Sequence, residues 1–467
     1  MKIWQPTLLA LSLLAAFPAL AQSNGDLQKE LQALKQKTTE LEQRLQALDA
    51  QSGEQKQELS RVAVKAEALE DGRDAMGFKL FKISGYMDPS FISSRARNTA
   101  GFQFLNGVGD DGYAFDNSSF GVLALDLLKE TDSGTKFHVT LIPSRGSESI
   151  ATGANRLLQE ASVAVPLGDP TTLLLAGMLP DWSGYEMVQP MPSAAGTGNK
   201  LITHNLLYDF TLPASYTGAG VQFTVEGWTV KTLLANMNAS KRTAGNKTPV
   251  FAYRADYAIS EYAGVGFAGV IGKAANFRAT ETDTTTGTLL YPDDQGKDTA
   301  VHLFEVDGFY TRGDLTLQGQ LSIGSQKKAA ITAASGQLRD ASWRGASALA
   351  AYKFTPRVEG SVRLDYLNNR KNGGGLLGYT GDTSDLQNNP NRTDRHNGIG
   401  PDPQGDPEVG ANRSALAFGG SYQLDASTLL KVEYRIDRAT LPVFQYAEDG
   451  VYRKTNQLFG AAVVVSF

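Results

Sequence analysis

Charged side chains recur at every second position in several short stretches of this chain. Lys431, Glu433, Arg435 and Asp437 alternate with Leu430, Val432, Tyr434 and Ile436; Arg363 and Asp365 alternate with Val362, Leu364 and Tyr366. Arg254 and Asp256 oppose Phe251, Tyr253 and Tyr257, and Trp228 and Val230 flank Lys231. A period of two puts each charged set on one face of a strand and its apolar partners on the other. Both signs gathered on one wall can set the field felt by a passing solute, or pair across strands and stiffen the wall. Hydrolytic chemistry fits poorly. His138, His204, His302 and His396 lie far apart, with no HExxH, GxSxG or P-loop, and His138 with Ser144 is the nearest approach to a base and nucleophile. No enzyme is expected. Residues 371–411 hold Gly373 to Gly375 and scattered Asp382, Asp385, Asp394, Asp402 and Asp406 without EF-type spacing, which reads as a solvated loop, so neither metal nor other cofactor is implied.

The elements that must position these charges are strands. The 467 residues include 48 Gly, 17 Tyr and 21 Phe and no Cys, which excludes a disulfide framework and thiolate chemistry. A net charge of -5 offers no basic field for nucleic acid. Mean hydropathy is -0.25, a soluble-looking value that membrane barrels share because only alternate residues face lipid. From residue 76 onward the pattern predicts sixteen strands, beginning with 80–94 and 112–128 and ending with 428–439 and 456–467. Their connections alternate. Short turns such as Gly168-Asp169-Pro170, Glu226-Gly227, Ser260-Glu261, Arg312-Gly313, Thr355-Pro356 and Asp425-Ala426-Ser427 are interleaved with loops 95–111, 144–154, 180–216, 239–248, 275–299, 327–340, 371–411 and 440–455. Short turns at one end and long loops at the other predict an all-β fold, a 16-stranded antiparallel transmembrane β-barrel with both termini on the short-turn side. Trp228, Tyr257, Tyr262, Tyr310, Phe354 and Tyr422 stand beside the short turns, where an interfacial girdle belongs.

Two segments precede the barrel. Residues 1–21 carry Lys2, the apolar run Leu8 to Ala16 and the small-x-small site Ala19-Leu20-Ala21, the pattern of a signal peptide. No stretch supplies the ~20 apolar residues of a membrane helix. In residues 22–75, Leu27, Leu31, Leu34, Leu41, Leu45 and Leu48 alternate spacings of four and three, with Thr38 in the one polar core position. Leu59, Val62, Ala66 and Leu69 make a second short seam after Gly53. The spacing predicts an N-terminal α-helical coiled-coil extension, since a lone helix of this length is marginal in water. Drawn as one helix, residues 26–71 would reach ~70 Å from the barrel.

The last ten residues, LFGAAVVVSF, place Phe459, Ala461, Val463, Val465 and Phe467 on one apolar face. This resembles the closing strand of bacterial outer-membrane barrels, whose terminal aromatic is part of the signal read by the barrel-assembly machinery; the resemblance gives Phe467 that role. The segments RVAVKAEALEDGRDAMGFKLFKISGYMDPSF (61–91), GFQFLN (101–106) and SYTGAG (215–220) resemble a proteobacterial family of exported proteins predicted to be outer-membrane porins. The coiled-coil-then-barrel architecture is also similar to sugar-specific and phosphate-selective porins, without the basic ladder of the phosphate type. These resemblances imply a homotrimer in outer-membrane lipid, with the N-terminal segment in the periplasm. They also imply that the third long loop, 180–216, folds inward and narrows the lumen. That loop contains Trp182, Tyr185, Met187, His204, Tyr208 and Asp209, with Asp181 and Glu186 as constriction candidates. Candidate pore-lining residues on the wall are Lys231, Arg254, Asp256, Arg363, Asp365, Lys431, Glu433 and Arg435. The expected function is passive diffusion of small hydrophilic solutes or ions; the alternative is a structural tether in which the barrel anchors a coiled coil reaching towards the cell wall.

Overall fold

The computed structural model of the protein describes residues 29, 31–44, 60–62, 64–65, 80–104, 114–115, 118–142, 158–186, 198–238, 248–275, 298–330, 339–371, 399, 405–406 and 409–467. The chain divides into two compact units, Met1–Lys79 and Leu80–Phe467. In the first, residues 31–44 are helical. Thr38 satisfies its hydroxyl by donating to the Leu34 carbonyl at 2.9 Å, and Glu40 pairs with Arg44 one turn on at 3.4 Å. Leu31, Leu34 and Leu41 remain exposed along one stripe. The signal segment 1–21, and with it Leu27, Leu45, Leu48, Leu59, Ala66 and Leu69, lies outside the described residues.

The second unit is a barrel. Its strands are β1 (Phe81–Met87), β2 (Ser90–Ser94), β3 (Thr99–Gln103), β4 (Ala114–Phe115), β5 (Ser118–Ser119), β6 (Leu123–Glu130), β7 (Lys136–Leu141), β8 (Leu158–Leu167), β9 (Asp169–Pro180), β10 (Ser215–Val225) and β11 (Trp228–Met237). They continue as β12 (Val250–Ser260), β13 (Ala263–Ala275), β14 (Asp298–Arg312), β15 (Leu315–Ala330), β16 (Arg339–Lys353), β17 (Val358–Asn368), β18 (Arg413–Gln423), β19 (Thr428–Ala439), β20 (Phe444–Gln445), β21 (Tyr452–Arg453) and β22 (Thr455–Ser466). β1 with β2, and β3 with β6, each form one interrupted wall strand, so the 18-stranded main sheet is a wall of sixteen. All neighbours are antiparallel, and β22 closes the ring between β19 on one side and β1 and β2 on the other. Closure leaves no free edge.

The second wall strand differs from the predicted 112–128. Its long-loop half is β3, paired with β2, and its short-turn half is β6, paired with β1. The reason is Pro89, which has no N–H to give the ladder and breaks the first wall strand between β1 and β2. Asp88 beside it turns its carboxylate to accept the Val122 N–H. The chain leaves the wall at residue 104 and returns through Gly121, whose φ of +68° and close approach to Gln103 leave no room for a side chain. Phe120 is thereby buried against Ile92 and Leu458.

Alternation sorts the faces as the pattern predicts. On β22, Phe459 and Val463 are exposed on the outside, as is Phe467 just after it, while Leu458, Ala462 and Val464 are buried inside. The Phe467 N–H donates to the Gly85 carbonyl at 3.1 Å, and its ring occupies the space a Cβ on Gly85 would need. The girdle aromatics Trp228, Tyr257, Tyr262, Tyr310, Phe354 and Tyr422 are all exposed at the short-turn rim, with the Trp228 and Tyr257 ring centres 4.7 Å apart.

Candidate functional site

The inward face of this wall meets the third long loop. Between β9 and β10 the described loop residues are 181–186 and 198–214. A short helix, Leu206–Thr211, is capped by Asn205, whose side-chain oxygen accepts from the Leu207 and Tyr208 N–H groups at 2.9 and 2.8 Å. Leu206, Leu207, Phe210 and Leu212 are buried with inward-facing Leu233, Val250, Val270, Val301, Leu303, Trp343 and Leu367. Full burial of each such side chain is worth about 1.5–3 kcal/mol. Two wall glycines make the berth. A Cβ on Gly345 would collide with Leu207 Cδ2, and one on Gly419 would collide with Leu201 Cδ2. The inner wall is therefore apolar towards the long-loop rim, where simple alternation of charge with apolar residues predicts a polar lining.

Lower down, the predicted charged residues hold the loop backbone. Glu433 accepts the Ile202 and Thr203 N–H groups at 2.6 and 2.8 Å and the Thr203 hydroxyl at 2.6 Å. Arg363 donates to the carbonyls of Thr203 and His204, both at 2.7 Å, to Glu186 at 2.8 Å and to Asp365 at 3.0 Å. Arg435 donates to Thr203 Oγ1 and the His204 carbonyl, both at 3.0 Å, and to Asp437 at 3.1 Å. Lys431 donates to the Asn199 carbonyl at 2.6 Å, and Lys200 pairs with Glu359 at 2.9 Å. A second anchor lies at the loop's root. Asp181 accepts from the Tyr216 hydroxyl at 2.7 Å, and Arg254 donates to the Trp182 carbonyl at 2.8 Å while pairing with Asp307 and Asp256, each at 2.7 Å.

The structure thus divides the predicted site residues. Arg363, Asp365, Lys431, Glu433 and Arg435 are buried under the loop, and Glu186 reaches them from the loop itself. Asp181 and Arg254 fix its root. Lys231 and Asp256 lie at the margin, on neighbouring strands; Asp256 keeps 39% of its side chain exposed.

A further charged group joins His138 to Asp126 and Glu160, neither of which the sequence singled out. On β6, β7 and β8, His138 Nε2 lies 2.8 Å from Asp126 Oδ1 and its Nδ1 lies 3.0 Å from Glu160 Oε1, while the Thr140 hydroxyl donates to Asp126 at 2.6 Å. A ring held by carboxylates at both nitrogens donates from both, as the imidazolium does. Side-chain exposures of 32%, 29% and 13% for His138, Asp126 and Glu160 keep this group in contact with water. Its signal is the inward register of Asp126, His138 and Glu160 across three consecutive strands, visible only once those strands are aligned. The polar contacts given above for the loop fall on β10, β12, β17 and β19, and further ones reach Gln320 and Ser322 on β15 and Ser347 on β16. Ser144 lies outside the described residues.

Burial pushes the Glu186 carboxyl up to about 7 from its ordinary 4.5, against the pull of Arg363 and of the Asn205 N–H. Burial likewise raises Asp181 to about 6, against its bonds from Tyr216 and Ser183. Between the ordinary and raised values the folded protein holds protons that the unfolded chain has released, so stability falls as pH rises through that window and is flat above it. Thermal unfolding in detergent should therefore occur a few degrees lower at about pH 7.5 than at about pH 5, and Glu186→Gln should remove its share of that slope. An identical slope in the variant would show that Glu186 does not carry the proton.

Solved structures are similar to this barrel. OprB of Pseudomonas putida superposes with a TM-score of 0.50 at 10% identity, over 85% of this chain and 96% of that chain. OmpF of Salmonella typhi, in complex with daunomycin, gives 0.49 at 11% identity over 83% and 97%. An anion-selective porin from Comamonas acidovorans gives 0.48 at 10% identity over 83% and 99%. At such identities the likeness to OprB is one of fold. No curated protein matches the chain. The model of a family described as proteins of unknown function (DUF3138) matches residues 44–467, and the chain belongs to that family.

Proposed function

We propose that the protein is an outer-membrane porin, through which small hydrophilic solutes and ions diffuse passively between the seated third loop and the opposing arc of wall from β6 to β8. The observation that carries this reading is the division of charge on the inner face. Arg363, Arg435, Lys431 and Glu433 are buried under the loop, whereas Asp126, His138, Glu160 and Asp256 keep contact with water. A sixteen-stranded barrel is wide enough to leave an aqueous path beside a seated loop. The water-facing group has an excess of carboxylates, so the channel should prefer cations. No catalysis is assigned to it. The barrel would sit as a trimer in outer-membrane lipid, delivered by its signal segment and inserted by assembly machinery that reads Phe467.

Planar-bilayer recording of the full-length mature protein tests this. Conductance steps should arrive in threes, with a reversal potential of cation-selective sign in a salt gradient that Asp126→Asn with Glu160→Gln moves towards zero. Replacing residues 199–211 with a short Gly/Ser linker should raise conductance about twofold or more. Unchanged conductance in the linker variant would remove the loop from the constriction, and an inserted barrel that never conducts would remove the pore. In that event the exposed stripe of Leu31, Leu34 and Leu41 favours the tether, with helices from several copies associating and the barrel as their anchor.

A further inference from the structure

On the outside of the wall, at the long-loop end of β14 to β17, there is a groove of about 760 Å³. His302, Ser325 and Ser342 are register partners across β14, β15 and β16, and they make its polar floor. Arg344, Arg370 and Lys371 supply its charge, and among the described residues no acidic side chain lines it. Among the described residues the adjacent carboxylate, Asp340, is already bonded to Lys327. Ile271, the register partner of His302, exposes 48% of its surface at the side of that floor; the row below is lipid-facing, with Phe304 and Ile323 46% and 56% exposed and Arg344 as the register partner of Ile323.

A cation on the lipid face of a barrel is destabilising unless it reaches an interface or finds a counter-charge. Three cations bordering an apolar shelf match a ligand with anionic oxygens on one end and acyl chains on the other. Arginine's planar fork suits phosphate, which it can bind bidentately. Charge complementarity and the continuous shelf together select a membrane component over a dissolved anion.

We propose that this groove binds the phosphorylated headgroup of an outer-leaflet glycolipid, with Arg344, Arg370 and Lys371 on the phosphates and the acyl chains lying over Ile323 and Phe304. The site rests on the outer-membrane reading, because it requires the long-loop rim to face the phosphorylated leaflet.

The test is native mass spectrometry of the full-length mature protein in detergent with a synthetic acylated diglucosamine bisphosphate and its dephosphorylated counterpart. Wild type should retain the phosphorylated lipid at least about tenfold more tightly, and the combined R344Q, R370Q and K371Q variant should lose that preference. R344Q alone should lose part of it. Equal retention of both lipids, or equal binding by wild type and variant, would overturn the proposal. So would full displacement by millimolar inorganic phosphate, which would assign the groove to a free anion. None of the three residues faces the lumen, so the variant should conduct as wild type does. Conduction without lipid preference removes this site and leaves the pore standing, whereas lipid preference without conduction does the reverse.

Discussion

Arg363→Ala should unseat the third loop and raise single-channel conductance. The guanidinium gathers Glu186, Asp365 and the carbonyls of Thr203 and His204 around one buried point. Removing it takes the charged donor from two buried carboxylates and from the Thr203 and His204 carbonyls, in a site sealed from water, a loss of about 3–5 kcal/mol when one member of a buried ionic group is deleted. The seated loop has no other cation placed to replace all four bonds, so the backbone from Asn199 to Leu212 should exchange its amide protons faster. Arg363→Lys should fail to restore either property, because an ammonium cannot present donors in the planar fork these acceptors surround. Amide exchange of 199–212 and conductance are the two readouts. If both stay at wild-type values in Arg363→Ala, the loop is held by its apolar face alone and the ionic anchor is dispensable.

Asp437→Ala should weaken the barrel itself. Asp437 Oδ1 accepts from Arg413 at 2.7 Å and Arg435 at 3.1 Å, and all three side chains are fully buried. Both guanidiniums also draw on other partners: Arg435 on the loop and Arg413 on the rings of Phe210 and Phe444 at 5.5 and 5.2 Å. Deleting the carboxylate leaves two like charges facing each other in a low-dielectric site, again about 3–5 kcal/mol. The temperature at which the folded form in detergent converts to the unfolded one should drop markedly in Asp437→Ala, and less in Asp437→Asn, which keeps an acceptor oxygen. A change of no more than a degree or two in the alanine variant would mean that water reaches Arg413 and Arg435.

These residues also show how far the sequence was readable. Period-two alternation assigned Lys431, Glu433, Arg435 and Asp437 to the inner face because the same strand carries Val432 and Tyr434 outward, and that reasoning depends only on backbone geometry. The role of those charges was hidden. Whether an inward arginine meets water or a loop backbone depends on residues far along the chain, and alternation carries no such information. Pro89 marks the break between β1 and β2, whereas the alternation on either side of it reads as one strand, 80–94. The berth for the loop was the least legible part: Gly345 and Gly419 look like ordinary strand glycines until Leu207 and Leu201 are set against them. Likewise the inward apolar patch around Val250, Val301 and Trp343 reads as noise in the alternation, because its partner is the buried helix.

The anchoring of the loop also has a consequence for the order of events in folding. Ile202 and Glu433 are 231 residues apart in the chain, Thr203 and Arg363 are 160 apart, and Asn199 and Lys431 are 232 apart. The loop emerges before any of its ionic partners has been made, and contacts of such high sequence separation form late and slowly. Ring closure by β22 and docking of residues 199–212 should therefore belong to the same last kinetic phase, and a chain halted after β16 would present Leu206, Leu207 and Phe210 with only part of the surface that is meant to receive them.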